Sequence, residues 1–364
     1  MKIGIITYHF ATNYGAVLQA YALQTYLISN GHEVEFINYT PINNKTKLMS
    51  QKRLTLNKVI KKLNTLRRIS KFNGFRKKLK IGSTSYNTIQ DLENGSLKYD
   101  AIVCGSDQIW NPLYSFGNDF PHAYFLNFSY AGKKVSYAPS FGTTTLNNSN
   151  KKKVKNCLKD FHMISVRERS SLTMLKEIEI EPVYWVPDPT LLLKSSTYTD
   201  LLPTSNPQSL NYIFSYILHD DKKTAKKLIF RCQDTLSIND VYNVNAGVVL
   251  NQKGVKTRTV NPIKWLDKIK CAKFVITNSY HASIFSIIFN VPFVFISQTG
   301  EKKGMNERAQ SLLDRLGIRA RIIDPSHSEN MSEVITQEIN WDEVNNKLSE
   351  FKKEGEEFLL KALL

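Results

Sequence analysis

Polar side chains that could move a proton follow a buried strand in the second half of the chain. The segment Phe274 to Phe285 is predicted to pass from an apolar strand into an apolar helix, with His281 at the helix start. Asn278 and Ser279 occupy the turn between them. Because an imidazole donates and accepts protons near neutral pH, His281 is a candidate general acid or base. The alternative is the structural role that a lone histidine more often has.

A second candidate acid or base is Asp107, in the polar run that follows the strand ending at Cys104. Ser106 precedes it, and both residues stand where a strand gives way to small and polar residues. Open parallel sheets bind ligands at the carboxyl ends of their strands, which favours a functional role. The alternative is that Asp107 caps the next helical turn, a common role for aspartate.

Two arginines, Arg167 and Arg169, follow a third predicted strand and are suited to bidentate capture of a carboxylate or phosphate. The intervening Glu168 could instead neutralise one of them. Asp188 stands between two prolines in a rigid turn, where a structural role is at least as well supported as ligand binding.

The first predicted strand is followed by a turn that contains Asn13, Tyr14 and Gly15 and opens a helix. Backbone amides at such a helix start can hold an anionic group, so this turn is a candidate phosphate cradle. A plain capping turn is the alternative. The glycine patterns of dinucleotide-binding folds and of P-loops are absent from the sequence, which excludes those assignments.

Short apolar runs alternate with helical patterns along most of the chain, which predicts parallel sheets covered by helices on both faces. We predict two Rossmann-like α/β domains that face a central cleft. The polar stretch Lys194 to Leu210 is the predicted boundary, with domains at about 1–200 and 208–364 and a closing helix at about 341–364. The predicted strands are Lys2–Thr7, Glu33–Asn38, Ala101–Cys104, Lys134–Tyr137, Met163–Val166, Tyr212–Leu218, Asp240–Val244, Phe274–Thr277 and Phe293–Ile296.

The net charge of +17 is concentrated in one segment. Between Pro41 and Gln90 the sequence has 14 Lys or Arg and no Asp or Glu. Apolar residues from Leu56 to Phe72 recur at helical spacing, which predicts a basic amphipathic helix within an insertion at about 42–90. Its basic face could be solvated or could contact an anionic membrane surface or a lipid diphosphate. Nucleic acid is disfavoured because no recognised nucleic-acid-binding motif accompanies the charge.

The sequence also predicts a cytoplasmic protein. It shows neither an export signal nor an apolar run long enough to span a membrane. The four cysteines are widely separated and form no metal-binding or disulfide pattern, which favours reduced thiols.

Six blocks, taken in order, resemble the polysaccharide pyruvyl transferase family, and together they span nearly the whole chain. They are NYGAVLQAYAL from Asn13, GSDQIWNP from Gly105, SYAPSFG from Ser136, SVRERSS from Ser165, VPDPTLLL from Val186 and TNSYHASIFSIIFNVPFV from Thr277.

The resemblance implies a GT-B-like fold and transfer of the enolpyruvyl group of phosphoenolpyruvate to a sugar as a ketal, without a metal or organic cofactor. It implies an acceptor side in the first domain, a donor side in the second, and an acceptor carried on a lipid or a nucleotide. His281 matches the family histidine, and Arg167 matches one family donor-binding arginine. Ser279 replaces the other, so the cation would have to come from Arg167, Arg169 or Arg308.

Two other functions stay open on the sequence. One is a GT-B glycosyltransferase that uses a nucleotide sugar, and the other is a non-catalytic binding protein of the same fold. Contact with the inner face of the cell membrane is predicted only as a peripheral association.

Overall fold

The computed structural model describes residues 1–42, 56–114, 120–203, 210–218, 222–245 and 253–364. The described chain divides into two compact units. The first domain comprises Met1–Leu192 and Phe351–Leu364, and the second comprises Leu193–Glu350. In this part of the chain, no helix is both long and apolar enough to cross a membrane.

The first domain is built on a parallel sheet that has seven strands among the described residues, in the order β3-β2-β1-β4-β5-β6-β7. Its strands are β1 Lys2–Ile6, β2 Glu33–Tyr39, β3 Ile81–Tyr86, β4 Ala101–Cys104, β5 Lys133–Ser136, β6 Met163–Val166 and β7 Val183–Trp185. Its helices are α1 Tyr14–Ser29, α2 Leu56–Arg76, α3 Ile89–Asn94, α4 Asn148–Leu158 and α5 Arg169–Lys176.

Successive residues of the central strands enter different cores. Ile5 belongs to one buried apolar cluster and Ile6 to another, and Val103 and Cys104 divide in the same way. Because side chains alternate across a strand, these two clusters lie on opposite faces of the sheet. Both faces are therefore covered, which explains why these strands are continuous apolar runs.

The second domain repeats this design with a parallel sheet in the order β10-β9-β8-β11-β12-β13, counted over the described residues. Its strands are β8 Leu210–Tyr216, β9 Val241–Val244, β10 Val255–Arg258, β11 Ala272–Thr277, β12 Phe293–Ile296 and β13 Ile322–Ile323. Its helices are α6 Ser195–Thr199, α7 Lys222–Leu236, α8 Pro262–Lys270, α9 Tyr280–Ile288, α10 Glu307–Arg315 and α11 Met331–Thr336.

The last helix, α12 Trp341–Leu363, begins in the second domain and continues into the first. Its final turns belong to the first domain because Phe358, Leu359 and Ala362 join one of that domain's two sheet cores. The structure thus differs from the predicted domain limits, which assigned the whole helix to the second domain. The unit boundary also lies earlier than predicted, after Leu192.

The predicted basic insertion is part of the first sheet's own architecture. Helix α2 is the crossover that connects β2 to β3, and β3 pairs in parallel with β2. On α2, Phe72 and Phe75 are buried, while Leu66 is 52% exposed. Residues 43–55, and the side chains of 56–64 that carry much of the predicted amphipathic pattern, lie outside the described residues.

Each sheet reverses its strand order once. In the first sheet this switch point lies between β1 and β4, and in the second it lies between β8 and β11. The loops that leave these strands at their carboxyl ends diverge to opposite sides of the sheet and leave a crevice there. The candidate residues after β1, β4 and β11 therefore stand at the two places where this fold class binds ligands.

Gly105, the first residue after β4, lies at this edge of the sheet in close contact with the backbone of the next strand's loop. Its φ is +137°, and a Cβ there would lie 2.0 Å from the Tyr137 carbonyl oxygen. Gly105→Ala is therefore expected to lower the free energy of unfolding by about 2 kcal/mol or more. Gly74→Ala is the matched control, since Gly74 is exposed on α2 and its Cβ would meet nothing within 4 Å. Urea denaturation should show that the control gains about 0.5–1 kcal/mol.

Candidate functional site

The loops after β1 and β4 are joined by hydrogen bonds at the first switch point. The Thr7 hydroxyl donates to the Ser106 carbonyl oxygen at 3.1 Å, and the Tyr8 hydroxyl donates to the Gln108 carbonyl oxygen at 3.2 Å. Gln19 of α1 donates to the Thr7 hydroxyl at 3.0 Å and accepts from the Ser106 amide at 2.9 Å. These bonds fix the backbone on both sides of Asp107.

Asp107 has a left-handed backbone, with φ +70°, which is unusual for a residue that is not glycine. The Asp107 backbone is also held by a hydrogen bond, because its carbonyl oxygen accepts from the Ser140 amide at 2.8 Å. The side chain accepts from the Gln108 amide at 2.8 Å and is 13% exposed. Burial, followed by the charge of Asp107, raises the pKa of Tyr8 well above its ordinary range.

Arg167 is the centre of a buried charge cluster. Its side chain has no solvent exposure, and among the described residues it forms ion pairs with three carboxylates. The distances are 2.8 Å from Nη1 to Asp188 Oδ2, 3.1 Å from Nε to Glu168 Oε1, and 3.9 Å from Nη2 to Asp107 Oδ1. Asp107 is the most exposed of the three, so it is the carboxylate that this cluster presents outward.

Asp188 is completely buried and uses both carboxylate oxygens. One oxygen accepts from the Thr190 amide at 3.0 Å and from the Thr190 hydroxyl at 2.7 Å, and the other accepts from Arg167. It begins the 3-10 turn Pro189–Leu191. Asp188 therefore supports Arg167 rather than facing solvent. Glu168 is also paired with Arg167, at 3.1 Å.

A pair of serines fastens the strand from which Arg167 emerges. The Ser136 hydroxyl donates to the Ser165 carbonyl oxygen at 2.9 Å, and the Ser165 hydroxyl donates to the Ser136 carbonyl oxygen at 2.7 Å. Both residues are fully buried at the ends of β5 and β6. Arg169, two residues beyond Arg167, is exposed at the start of α5.

The turn that opens α1 acts as a helix cap. The Asn13 side chain accepts from the Ala16 amide at 3.3 Å, so it satisfies a donor of the first turn. Tyr14 is buried, with its ring 5.0 Å from that of Phe72, and Gly15 is also buried. The capping role is thus observed, and the phosphate cradle stays a prediction.

At the second switch point, Asn278 bridges the ends of β8 and β11. Its amide oxygen accepts from the Leu218 amide at 2.6 Å, and its amide nitrogen donates to the Leu218 carbonyl oxygen at 2.7 Å. Thr277 reinforces this bridge by donating to the Tyr216 carbonyl oxygen at 2.5 Å. Ser279 accepts from the Ala282 amide at 3.4 Å and is the N-cap of α9.

His281 lies in the first turn of α9 and is 6% exposed. The Tyr280 ring lies edge-on to it, with the centroids 5.3 Å apart. The guanidinium of Arg308, from the first turn of α10, lies 5.8 Å from the centroid of the Tyr280 ring. Arg308 is 8% exposed, and its Nε donates to the Met305 carbonyl oxygen at 3.3 Å. The second domain thus gathers His281 and Arg308 around Tyr280.

The structure therefore forms two groups of predicted residues, one in each domain. The first contains Ser106, Asp107, Arg167 and Asp188, and the second contains Ser279, His281 and Arg308 with the Asn278 bridge. A cavity of about 630 Å³ lies elsewhere, beside α7 and the amino ends of β9 and β10. Within the described ranges, no cluster of three or more His, Cys, Asp or Glu is arranged to hold a metal ion.

Several supporting residues were missed from the sequence. Thr7, Gln19, Ser136, Ser165 and Thr277 are fully buried and hydrogen-bonded at strand ends or beneath them. Their signal was available, because a small hydroxyl or amide inside an otherwise apolar segment needs a buried partner. The sequence does not say which partner that is.

A family model described as polysaccharide pyruvyl transferase matches residues 13–300. Among curated proteins, no sequence matches the chain.

Solved structures resemble this fold over nearly its whole length. Arabidopsis thaliana UGT89C1 complexed with UDP-L-rhamnose is 12% identical, with a TM-score of 0.53, and the match covers 100% of this chain and 99% of that one. S. aureus MnaA in a co-structure with UDP is 11% identical, with a TM-score of 0.51 and coverage of 96% and 90%. The UDP-N-acetylglucosamine 2-epimerase from Rickettsia bellii is 11% identical, with a TM-score of 0.50 and coverage of 99% and 96%. At such low identities, these similarities show the fold alone. They confirm the predicted class of two Rossmann-like domains of GT-B type.

Proposed function

The chain belongs to the polysaccharide pyruvyl transferase family and is a transferase, and from this premise we propose that it converts phosphoenolpyruvate and a sugar into a pyruvate ketal. The observation that carries the proposal is where the matched residues lie. The family match spans Asp107, Arg167 and His281, and all three stand at or just beyond the carboxyl ends of parallel strands. These are the positions at which such sheets bind ligands.

The proposed reaction has two steps. A proton adds to the methylene carbon of phosphoenolpyruvate and one sugar hydroxyl, losing its own proton, bonds to the neighbouring carbon. A second hydroxyl then bonds to the same carbon, its proton leaves, and the carbon–oxygen bond to phosphate breaks with its electron pair going to phosphate. The chemistry needs proton transfer and fixed positive charge, which protein side chains can supply.

We assign proton transfer to His281 in the second domain and to Asp107 in the first. Asp107 suits this role because it is the partly exposed member of the Arg167 cluster and its backbone is fixed on both sides. In this proposal Arg167 affects the donor indirectly, by holding Asp107, since its guanidinium is buried among carboxylates. Direct donor binding by Arg167 or Arg169 stays a prediction from the family resemblance.

Ser279 occupies the position of a family arginine, and Arg308 is proposed to supply the missing positive charge. Arg308 lies outside the matched range, so the family alone would not identify it. Its guanidinium adjoins Tyr280, the residue between Ser279 and His281. A cation at this place would stabilise the carboxylate or phosphate of the donor.

The acceptor is proposed to be a sugar on a lipid or nucleotide carrier, handled in the cytoplasm or at the inner face of the membrane. The exposed Lys77, Lys78 and Lys80 beyond α2 support an anionic carrier.

Donor identity is tested by thermal unfolding with phosphoenolpyruvate beside a panel of nucleotide sugars. Phosphoenolpyruvate at one hundred times its dissociation constant is expected to stabilise the protein by about 2.7 kcal/mol. Inorganic phosphate and pyruvate at equal concentrations are the controls, and we expect smaller shifts from both. Stabilisation by a nucleotide sugar with no response to phosphoenolpyruvate would replace this proposal with glycosyl transfer.

A further inference from the structure

Two arginines of α2 hold the backbone of the loop after β1. Together they donate to four consecutive backbone carbonyls. Arg76 Nη2 lies 2.9 Å from the Ala11 oxygen, and Arg68 Nη2 lies 2.8 Å from the Thr12 oxygen. Arg76 also donates through Nε and Nη2 to the two preceding carbonyls, those of His9 and Phe10. A forked, planar guanidinium is the side chain that can hold several carbonyls in one geometry.

Both guanidinium groups are themselves fixed. Arg76 Nη1 donates to the Asn73 side chain one turn earlier. The Arg68 guanidinium lies 5.9 Å from the centroid of the Phe72 ring, and Phe72 is fully buried against Tyr14. The loop is therefore attached to guanidinium groups that are themselves held by contacts on α2.

Carbonyl oxygens, rather than carboxylates, satisfy these arginines. Over the residues that the structure describes, neither Arg68 nor Arg76 forms an ion pair with Asp or Glu. Burial lowers the pKa of Arg76, and burial is also the main reason that the pKa of His9 lies below its ordinary value, with a smaller contribution from the charge of Arg76. Part of the positive charge of the basic segment therefore lies inside the domain, where it holds the backbone of one loop.

The two residues just before these carbonyls contact the backbone that carries Asp107. Thr7 donates to the Ser106 carbonyl, and Tyr8 donates to the Gln108 carbonyl, so the two bonds flank Asp107. A continuous series of contacts therefore runs from α2 through the loop after β1 to the loop after β4.

We propose that Arg76, assisted by Arg68, is a positioning residue that holds the loop His9–Thr12 and through it the backbone of Asp107. This inference rests on the proposed function, because it concerns the placement of a residue assigned to proton transfer. It gives the basic helix a role inside the enzyme that is separate from any contact with lipid.

The test compares three variants of the full chain. With lipid- or nucleotide-linked sugars supplied as acceptors, Arg76→Gln should lower kcat/KM for release of phosphate from phosphoenolpyruvate by about tenfold or more, because small displacements of catalytic groups are costly. Hydrogen exchange in peptides that cover residues 7–14 should become about tenfold faster. Arg76→Lys keeps the charge without the fork and should recover only part of either property.

Arg67→Gln is the matched control, since Arg67 is exposed on the same helix and the charge change is identical. It should match the wild type in kinetics and in exchange. If it slows turnover as much as Arg76→Gln, the effect belongs to overall charge and the inference is wrong. Unchanged exchange at residues 7–14 in Arg76→Gln would also overturn it.

The inference and the proposed function can fail separately. A wild-type protein that phosphoenolpyruvate does not stabilise against heat contradicts the function, while the exchange comparison still measures how Arg76 holds the loop. If Arg76→Gln does not fold, Arg68→Gln takes its place, with faster exchange expected at residues 12–14 and slower turnover. Normal exchange and turnover in that variant would overturn the inference.

Discussion

Asp188→Ala is expected to lower the free energy of unfolding of the first domain by about 3 kcal/mol, because it removes one partner of a buried ion pair. Arg167 would keep Glu168 and the more distant Asp107, but the bond of 2.8 Å at Nη1 would be lost in a site with no solvent exposure. The amide and hydroxyl of Thr190 would lose their acceptor as well. Two-domain chains need not unfold in one transition, so hydrogen exchange of first-domain peptides in urea is the suitable measurement.

Two variants make this result specific. Asp188→Asn keeps the size of the side chain and one of its two acceptor oxygens, so it should lose less stability than Asp188→Ala even though the bonds made by the other oxygen are lost. Glu177→Ala breaks an exposed ion pair with Lys151 in the same domain and should cost under about 1 kcal/mol. Peptides of the second domain serve as an internal reference. A cost for Asp188→Ala no larger than that for Glu177→Ala would contradict a buried, stabilising pair.

The strands that sequence patterns identified and those they missed differ in position. The nine predicted strands correspond to β1, β2, β4, β5, β6, β8, β9, β11 and β12. The four that were missed, β3, β7, β10 and β13, are the edge strands of the two sheets. An edge strand is covered less completely, so its sequence need not be an apolar run. The segment IGSTSY of β3, with three consecutive exposed residues, shows why no such pattern was present.

The missed edge strand β3 also explains why the basic segment was predicted to be an insertion. Without β3, the stretch between β2 and β4 lacked a strand partner and was predicted to be an insertion. Once β3 joins the sheet beside β2, helix α2 becomes an ordinary crossover. Its arginines then face the loop after β1, which lies more than 50 residues away in sequence.

The positions of the candidate residues were predictable, but their partners were not. Strand ends indicated where Asp107, Arg167 and His281 would lie. The adjacent Glu168 was an obvious partner for Arg167, but nothing in the sequence indicated that Asp107 and Asp188 would also pair with it, or that the Asn278 amide would bond to the backbone of Leu218. Such pairings join residues far apart in the chain, and only the register of neighbouring strands determines them.

His281→Ala is expected to lower kcat for phosphate release in the presence of lipid- or nucleotide-linked sugar acceptors by about 10²–10⁴-fold, the usual contribution of a positioned general acid or base. Phosphoenolpyruvate should still stabilise the variant against heat if the role of His281 is proton transfer and Arg308 provides the anion contact. Initial rates over a range of phosphoenolpyruvate concentrations separate these effects, since loss of proton transfer lowers kcat while loss of binding raises KM.

The first-turn position of His281 in α9 requires two controls for this experiment. His281→Gln retains a polar side chain of similar length without proton exchange near neutrality, so it should be as inactive as His281→Ala while preserving the packing against Tyr280. His327→Ala removes an exposed imidazole from the same domain and should leave turnover unchanged. Activity of His281→Ala within a few fold of the wild type would assign proton transfer elsewhere, and Asp107→Asn would then be the variant expected to abolish it.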